Sequence, residues 1–355
     1  MNNQQIMIYG AYGYTGELIA RQAVAQGLKP ILSGRSAAKL QPLANELDLP
    51  AIAVSLDDED ALARTLRDVA VVIHCAGPFS ATAEPMMRAC IASGTHYQDI
   101  TGEMQVYQTA HDLDAEAKAA NVVLCPGTGF DVIPTDCLAA ALHKQMTSAT
   151  HLTLGFDSDS GLSPGTAKTS IESLGVGGAV RRNGKIEIIP HGELTREINF
   201  GRGEKFAVSI PWGDVATAYY STEIPNIEVY IPMSPRRAKK MQRLNKFRWL
   251  LRMNWVQNWL KGKAEQKVKG PSENQRSEQQ TWVWGEVRND RRGERRVGRV
   301  VTSNGYDVTV HGSLAVMQHL RKYDGPGGYY TPSKLCGPEL VEQLPGSGKI
   351  KIGID

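Results

Sequence analysis

The sequence predicts an α/β protein that begins with a doubly wound parallel sheet and continues into a β-rich domain. Three observations support this fold class. Strands and helices alternate over the first 140 residues, an early apolar strand runs into a glycine-rich turn, and short β-like runs dominate after residue 150. A length of 355 residues makes two domains the natural expectation.

The N-terminal sheet is expected to contain six strands joined by crossover helices. The strands are predicted at 5–9, 29–35, 51–54, 69–76, 96–100 and 122–125. The fourth run, VAVVIHCA, is apolar throughout, as expected for a strand covered on both faces. Helices are predicted at 14–26, 37–47, 58–67, 84–92, 105–119 and 134–143, and later ones at 311–322 and 333–344.

The first strand leads into glycines at 10, 13 and 16, and a helix follows. Gly10 permits the sharp turn, Gly13 lets a pyrophosphate approach the backbone, and Gly16 lets the helix pack close to the strand. Free N–H groups at the helix N terminus would face the phosphates. This context predicts a bound dinucleotide, although the spacing is G-x-x-G-x-x-G rather than the commoner G-x-G-x-x-G. The alternative is a glycine-rich turn without a ligand.

The residues after the second strand indicate which dinucleotide is bound. An acidic residue there would hydrogen-bond the ribose 2′-hydroxyl of NAD. This chain instead has Ser33, Gly34, Arg35 and Ser36, with Lys39 one turn on. Because an arginine can pair with a 2′-phosphate, NADP(H) is the predicted cofactor. The alternative is a solvated arginine that caps the turn.

A polar cluster follows the fifth strand, at the edge where a doubly wound sheet has its ligand crevice. Its members are Tyr97, Asp99, Thr101 and Glu103. A tyrosine or carboxylate there could exchange the proton that accompanies a hydride, which makes Tyr97, Asp99 and Glu103 the catalytic candidates. In the structural alternative, Asp99 caps the next helix and Glu103 lies on its first turn.

Phe130 and Asp131 follow the sixth strand and are candidates for contact with the cofactor. The alternative is that Asp131 and Asp136 cap and orient the helix predicted at 134–143. The same edge of the sheet therefore collects polar side chains from two successive strands.

Several motifs together resemble the saccharopine dehydrogenase-like family of NADP-binding oxidoreductases, which includes the trans-acting enoyl reductases. In chain order they are GAYGYTG, SGRS, CAGPF, HYQDITGE, CPGTGFDVIPTD and, near the end, GPGGYYTPSKLCG. The resemblance implies hydride transfer to or from a small or lipid-like substrate, such as an enoyl, carbonyl or imine compound. The competing class is a non-catalytic NADP(H)-binding module.

The resemblance also implies a domain plan. Residues 1–145 would form a Rossmann domain completed by 311–355, and 146–310 would form an inserted α+β domain with a mostly antiparallel sheet. The inserted domain would carry substrate and dimer contacts, so a homodimer is expected. Together with the residues named above, the positions carried over give the predicted cofactor contacts: Gly10, Tyr12, Gly13, Tyr14, Thr15, Gly16, Ser33, Arg35, Ser36, Lys39, Ala76, Gly77, Pro78, Phe79, Gly127, Phe130 and Asp131.

Residues 236–269, the basic segment, hold twelve Lys or Arg and one acid, Glu265. Within them Phe247, Leu251, Trp255 and Trp259 are spaced four apart. Tryptophans beside clustered cations suit an interfacial helix on an anionic membrane, and the stretch is too short and too charged to span one. The alternative is a helix packed on the second domain or on a dimer mate. No nucleic-acid partner is expected, because no recognised binding module accompanies the charge.

The remaining composition bears on class and location. The net charge is only +3, and the five cysteines are scattered without a C-x-x-C, so neither a disulfide framework nor a metal site is expected. The start has no secretory pattern, and no apolar run reaches the length of a membrane span. These features predict a cytoplasmic protein, one that could attach to the inner face of the membrane through 236–269.

Overall fold

The structure is a computed structural model that describes residues 5–159, 171, 174–267, 276 and 278–353. The chain forms two compact units. The first is Met1–Ile133 with Tyr306–Leu340, and the second is Pro134–Gly305 with Val341–Asp355. The boundaries expected at 145 and 311 fall at the end of one helix and inside another. Residues 341–355 join the second unit because the strand Lys351–Gly353 pairs there.

A parallel sheet of seven strands forms the centre of the first unit. The six strands from the N-terminal part are β1 Gln5–Tyr9, β2 Ile31–Gly34, β3 Ala51–Ala53, β4 Val69–His74, β5 His96–Asp99 and β6 Val123–Cys125. The strand order in the sheet is Gly328–Tyr329, β6, β5, β4, β1, β2, β3. The chain therefore winds outward in both directions from β1, which is the predicted doubly wound arrangement.

Helices connect these strands. They are α1 Tyr14–Ala25, α2 Ala37–Leu47, α3 Glu59–Leu66, α4 Phe79–Ser93, α5 Met104–Asp112 and α6 Asp114–Ala119, followed late in the chain by Gly305–Leu320, Pro332–Cys336 and, at the unit boundary, Leu340–Gln343. Helix α4 begins five residues earlier than predicted. The reason is that the Glu103 carboxylate accepts hydrogen bonds from the first two amides of the helix.

One predicted element of this unit is wrong. The helix predicted at 311–322 begins at Gly305, so residues 305–310, which were assigned to the preceding β-like runs, form its first turns. The buried residues of this helix lie around most of its circumference. The Gln98 side chain in β5 donates to the Ser313 carbonyl at 2.8 Å, which ties this helix to the parallel sheet.

The second unit contains a mixed sheet of nine strands. The strands are β7 His151–Ser158, β8 Gly178–Arg182, β9 Lys185–Ile189, β10 Thr195–Asn199, β11 Glu204–Ser209, β12 Asn226–Pro232, β13 Gln280–Asn289 and β14 Glu294–Ser303. The order along the sheet is β10, β11, β12, β7, β13, β14 and Lys351–Gly353, and β8 pairs with both β12 and β9. Among these described strands, only β12 and β7 run parallel to each other. The helices are Ile133–Gln145, Asp214–Thr222, Pro235–Leu244, Arg248–Leu251 and Asn254–Lys267, with a 3₁₀ turn at Asn245–Phe247.

This second sheet curls until its distant strands meet. Arg196 in β10 donates to both carboxylate oxygens of Glu286 in β13, at 2.8 and 2.7 Å. These strands lie four places apart in the sheet, about 19 Å if it were flat. Arg295 in β14 also donates to Glu286, at 2.6 Å. Because Glu286 is 2% exposed, these arginines hold a buried carboxylate at the closure of the curl.

Candidate functional site

The glycine-rich turn joins β1 to α1 in the first unit. Gly10 has φ of +83°, and a Cβ there would lie 2.8 Å from the Ala76 nitrogen. A Cβ on Gly16 would overlap the Gly10 carbonyl oxygen. The amides of Gly10 and Ala11 donate to the Ser33 carbonyl at 2.7 and 3.1 Å. Backbone conformation therefore requires glycine at position 10, and close packing of the helix requires it at position 16.

Gly13 stands at the N-cap of α1, where no side chain caps the helix. Its φ of −78° and ψ of 157° are open to any residue, so backbone conformation does not demand glycine. Thr15 and Gly16, in the first turn of the helix, present amides that have no acceptor within an α-helix. The Tyr14 ring packs edge-on against Tyr306, with ring centroids 5.2 Å apart.

The next three helices of the chain differ from α1. The side chains of Ser36 and Asp58 cap α2 and α3, and the Glu103 carboxylate takes the first amides of α4. Among the first four helices, all within described residues, only α1 has an N terminus that no side chain occupies. The positive end of a helix dipole with free amides is an anion site, so this turn fits the pyrophosphate of a dinucleotide.

The segment after β2 brings a lysine to an aromatic ring and carries an exposed arginine. The Tyr12 ring lies over Gly34, where a Cβ would be 2.7 Å from a ring carbon. The Lys39 ammonium is 5.7 Å from the centroid of the same ring, and Arg35 beside it is exposed. A guanidinium and an ammonium suit the 2′-phosphate of NADP(H), and the ring offers a flat apolar surface. The need for glycine at position 34 was missed, because it comes from a ring 22 positions earlier.

Two of the predicted cofactor contacts have buried side chains or backbone. The Ser33 hydroxyl is fully buried and donates to the Ile52 carbonyl at 2.8 Å, which ties β2 to β3. Gly127 is buried with φ of +78°, and its amide donates to Asp99 at 2.8 Å. These hydrogen bonds give the Ser33 hydroxyl and the Gly127 amide a structural role in the first unit, and their contact with a cofactor stays a prediction.

The segment Ala76–Gly77–Pro78–Phe79 follows β4 and lies beside the glycine turn. Gly77 and Pro78 are exposed and joined by a cis peptide bond. The Ala76 carbonyl accepts a hydrogen bond from Thr82 at 2.6 Å. The Phe79 amide donates to Glu103 at 3.0 Å, and the Phe79 ring packs edge-on against His74, with ring centroids 5.5 Å apart.

Tyr97 and Asp99 form a buried pair at the end of β5. The Tyr97 hydroxyl donates to Asp99 Oδ2 at 2.6 Å, while Asp99 Oδ1 accepts from the amides of Thr101 at 3.0 Å and Gly127 at 2.8 Å. Both side chains are fully buried. Burial raises the pKa of Asp99 to about 6, although its hydrogen bonds favour the charged form, and burial also raises the pKa of Tyr97 well above its usual range. The pair ties the loops after β5 and β6 together.

Glu103, the third catalytic candidate, also holds backbone. Its carboxylate accepts from the amides of Phe79 at 3.0 Å and Ser80 at 2.8 Å, and its own amide donates to Thr101 Oγ1 at 3.0 Å. The loop after β5 is therefore fixed to the N terminus of α4. Glu103 therefore serves a helix, as the structural alternative proposed. The helix that it caps is α4, however, and not the helix that follows it in the chain.

Asp131 is the carboxylate at this edge that no described residue engages in a hydrogen bond or ion pair. It is partly buried, and a Cβ on Gly102 would come within 2.5 Å of its Oδ2, so glycine at position 102 makes room for it. Burial raises the pKa of Asp131 to about 7. A carboxyl group that titrates near neutrality can hold or release a proton under working conditions. The sequence placed Asp131 among the cofactor contacts and gave no sign of this raised pKa.

The neighbouring Phe130 is fixed through its backbone. Its amide donates to Thr309 Oγ1 at 3.0 Å, and Thr309 belongs to the helix Gly305–Leu320. The loop that carries Asp131 is thus anchored by a helix from the far end of the chain. No local pattern could have indicated this contact, because nearly 180 residues separate its partners.

His74 at the end of β4 was missed because it lies in an apolar run. It is fully buried, and its Nε2 lies 3.0 Å from Thr82 Oγ1. The Thr82 hydroxyl donates to a carbonyl, so His74 Nε2 must carry the proton. Burial lowers the pKa of His74 to about 3. The imidazole is therefore neutral and does not serve as a proton donor at neutral pH.

Residues 6–125 match the family model described as "Saccharopine dehydrogenase NADP binding domain". This match confirms the resemblance inferred from the motifs and the prediction of NADP(H) as the cofactor. It covers β1 to β6 and therefore the glycine turn, the basic residues Arg35 and Lys39 after β2, and the Tyr97–Asp99 pair.

Two curated relatives and one solved structure place the chain further. The trans-acting enoyl reductase of Mycobacterium leprae (strain TN) is 30% identical over 151 residues, 40% of this chain and 36% of that protein. The saccharopine dehydrogenase-like oxidoreductase of Rattus norvegicus is 25% identical over 204 residues, 50% of this chain and 48% of that protein. The matched stretches thus span less than half of each relative's length.

The structural similarity extends over the whole chain. Apo histidine-tagged saccharopine dehydrogenase (L-Glu forming) from Saccharomyces cerevisiae superimposes with a TM-score of 0.68, over 99% of this chain and 100% of that one. The identity is 12%, so this similarity establishes a shared fold. The mixed α/β architecture predicted from the sequence is confirmed.

Two kinds of group are absent from the described residues, a membrane-spanning helix and a metal-binding cluster. No helix there combines the length and the hydrophobicity needed to cross a bilayer. In the same part of the chain, no group of three or more His, Cys, Asp or Glu side chains is arranged to hold a metal ion.

Proposed function

Because residues 6–125 carry the NADP-binding domain of the saccharopine dehydrogenase family, we propose that this protein is an NADP(H)-dependent oxidoreductase. The substrate would be a small or lipid-like enoyl, carbonyl or imine compound, in keeping with relatives named as an enoyl reductase and an oxidoreductase. The observation that carries the proposal is a single edge of the sheet that combines the uncapped glycine turn with Asp131.

The residues of this edge divide the work between binding and proton transfer. The backbone amides of Thr15 and Gly16 would hold the pyrophosphate, and Arg35 with Lys39 would hold the 2′-phosphate. NADPH, when bound, supplies a hydride to an unsaturated acceptor. A reduction then needs one proton at the atom that becomes hydroxyl, amine or α-carbon.

Asp131 is the group we assign to that proton. Its pKa of about 7 leaves a large fraction protonated at neutral pH, and its partial exposure lets solvent restore the proton after each turnover. In the oxidative direction the ionised carboxylate would accept the proton instead. Reduction should therefore slow above about pH 7, and oxidation should slow below it.

Tyr97, Asp99 and Glu103 take a supporting role in this proposal. Their side chains hold the backbone of the loops after β4, β5 and β6, and so they position the edge that carries Asp131. Substitution of these residues should disturb stability together with turnover. Substitution of Asp131 should remove turnover without any loss of stability.

The cofactor is tested by titration calorimetry with NADPH and NADH. Arg35→Ala should weaken NADPH binding by about 10- to 100-fold, the usual worth of a charged hydrogen bond, and leave NADH binding unchanged. Lys29→Ala is the matched control, because it removes an exposed cation elsewhere in the same unit. Equal weakening of both nucleotides, or no binding of either, would contradict the assignment.

The reaction is tested by following NADPH consumption with panels of enoyl, carbonyl and imine acceptors. Asp131→Asn should lower turnover of any active acceptor by at least about 100-fold while NADPH affinity is kept. Tight NADPH binding without turnover of any panel would favour the alternative, a non-catalytic NADP(H)-binding module. Full activity of Asp131→Asn would show that another group supplies the proton.

A further inference from the structure

The basic segment, residues 236–269, is described up to residue 267 and lies in the second unit. It forms three short helices, Pro235–Leu244, Arg248–Leu251 and Asn254–Lys267, with a 3₁₀ turn after the first. The sequence suggested one amphipathic helix, and the breaks instead give the segment several directions. Its apolar and basic side chains are therefore spread over a broader surface than one helix face offers.

Polar contacts hold the segment to its own unit. The Gln242 side chain donates to the Gly192 carbonyl at 2.6 Å, and Asn245 exchanges two hydrogen bonds with His191, at 2.9 and 3.1 Å. The Gln257 side chain donates to the Ile171 carbonyl at 3.1 Å. The inward side of the segment is thus fixed by amides that bond to backbone.

The large aromatic side chains do not take part in this attachment. Trp249, Trp255 and Trp259 are 64%, 67% and 56% exposed, and Phe247 is 54% exposed. Val256, which follows Trp255 in the same helix, is 8% exposed. Among the described side chains of the segment, the buried ones are the small aliphatic Ala238 and Val256. These exposed fractions show that most of the aromatic face is not packed against the described residues of the unit.

Positive charge lies beside one of these rings and is frequent along the rest of the segment. The Lys263 ammonium lies 3.8 Å from the centroid of the Trp259 ring, which places a cation within the aromatic face. The only acid between residues 236 and 269 is Glu265. The exposed basic side chains of the segment include Arg236, Arg237, Lys239, Lys240, Arg243, Lys246, Arg252 and Lys263.

We propose that this basic aromatic face binds the surface of an anionic phospholipid bilayer. Indole rings favour the headgroup level, where an apolar ring and a polar N–H are both accommodated. Lysine and arginine side chains next to them gain from the negative potential of anionic lipids. The two features meet where the Lys263 ammonium lies against the Trp259 ring, so both contributions act there at once.

The charge also argues against a second copy of the chain as the occupant. A two-fold interface places the same surface on both partners. Here it would set eight exposed cations against eight others, and like charges across an interface oppose association. Lysine is also depleted at protein interfaces, whereas half of these cations are lysines. A sheet of lipid phosphates supplies the complementary sign.

The test is flotation of the full-length protein with phosphatidylcholine vesicles that contain or lack phosphatidylglycerol. Binding should require the anionic lipid, weaken as salt is raised, and shift tryptophan emission to shorter wavelength. Lipids brominated near the headgroup should quench that emission. Binding to both vesicles alike, or to neither, would overturn the proposal.

Paired substitutions separate the two contributions. Trp255→Ser with Trp259→Ser should weaken vesicle binding by about 100-fold, roughly tenfold for each large apolar side chain withdrawn. Lys239→Gln with Lys240→Gln should weaken it by about 25-fold, roughly fivefold per charge. All four side chains are exposed, so the fold should tolerate these changes.

The matched control and the competing outcomes complete the design. Arg291→Gln with Arg292→Gln removes two exposed cations from the turn between β13 and β14 and should leave vesicle binding unchanged. If the tryptophan variant lowers the mass of the free protein by light scattering and leaves vesicle binding intact, the face is a self-association surface. If duplex DNA binds as tightly as anionic vesicles and displaces them, the charge serves nucleic acid. Either result refutes the proposal.

Discussion

The Asp131 carboxyl group should weaken the folded protein above neutral pH. Burial raises its pKa from 3.8 to about 7 in the fold. A shift of roughly three pKa units corresponds to at most about 4 kcal/mol when the group is fully ionised. Because the side chain is partly exposed, solvent screening reduces our expected value to about 2 kcal/mol.

The direction of the effect follows from where the proton binds more tightly. The folded state holds the Asp131 proton more tightly than the unfolded chain does. The corresponding stability is therefore full below about pH 4 and is lost as the pH rises to about 7. Asp131→Asn keeps the shape of the side chain and removes its titration. The free energy of unfolding of the variant should therefore rise relative to that of the wild type across this pH range.

Thermal unfolding of the nucleotide-free protein measures this gain. The melting temperature of Asp131→Asn minus that of the wild type should be small near pH 4 and reach about 4–8 °C near pH 8, for a unit of this size. Asp68→Asn removes an exposed carboxyl group from the same unit and serves as the control. A difference that stays constant with pH would refute the raised pKa, and the assignment of Asp131 as proton donor would lose its basis.

Three further substitutions test other contacts. Gly34→Ala places a Cβ 2.7 Å from the Tyr12 ring and should weaken NADPH binding in calorimetry with little change in melting temperature; unchanged affinity would exclude the ring from the site. Tyr97→Phe leaves the buried Asp99 without its 2.6 Å donor and should lower the free energy of unfolding by about 1–3 kcal/mol in urea, whereas an unaltered midpoint would show that the pair does not hold the loops. Glu286→Gln replaces the buried carboxylate to which two arginines donate and should lower the free energy of unfolding by about 1–3 kcal/mol in urea. No loss of stability would mean that apolar packing closes the curl of the sheet.

The sequence predicted those features that depend on neighbours along the chain. Strands β1 to β6 follow from short apolar runs between turn residues, and the glycine turn follows from its position between a strand and a helix. The start of α4 did not follow, because it is set by Glu103, which lies 24 positions beyond Phe79. The helix at Gly305 was misread because its apolar residues alternate like those of a strand.

The candidate site shows the same limit. The order of glycines and the arginine after β2 could be read directly, because their roles depend on local conformation and charge. The raised pKa of Asp131 could not, since it depends on burial against a different loop near Gly102. In the basic segment, the spacing of Trp255 and Trp259 indicated an apolar face, and only the packing showed that the unit leaves this face uncovered.

The bare N terminus of α1 sets stability against ligand binding at a single position. Gly13→Ser would supply the cap that α2 and α3 have, a change from glycine usually worth roughly a few tenths of a kcal/mol, and its backbone angles allow the substitution. The new hydroxyl would occupy the amides that a nucleotide needs. In the wild-type protein this helix thus has no side-chain cap, and a bound ligand would take the place of one. Its resistance to heat and proteolysis should then follow the supply of NADP(H) in the cell.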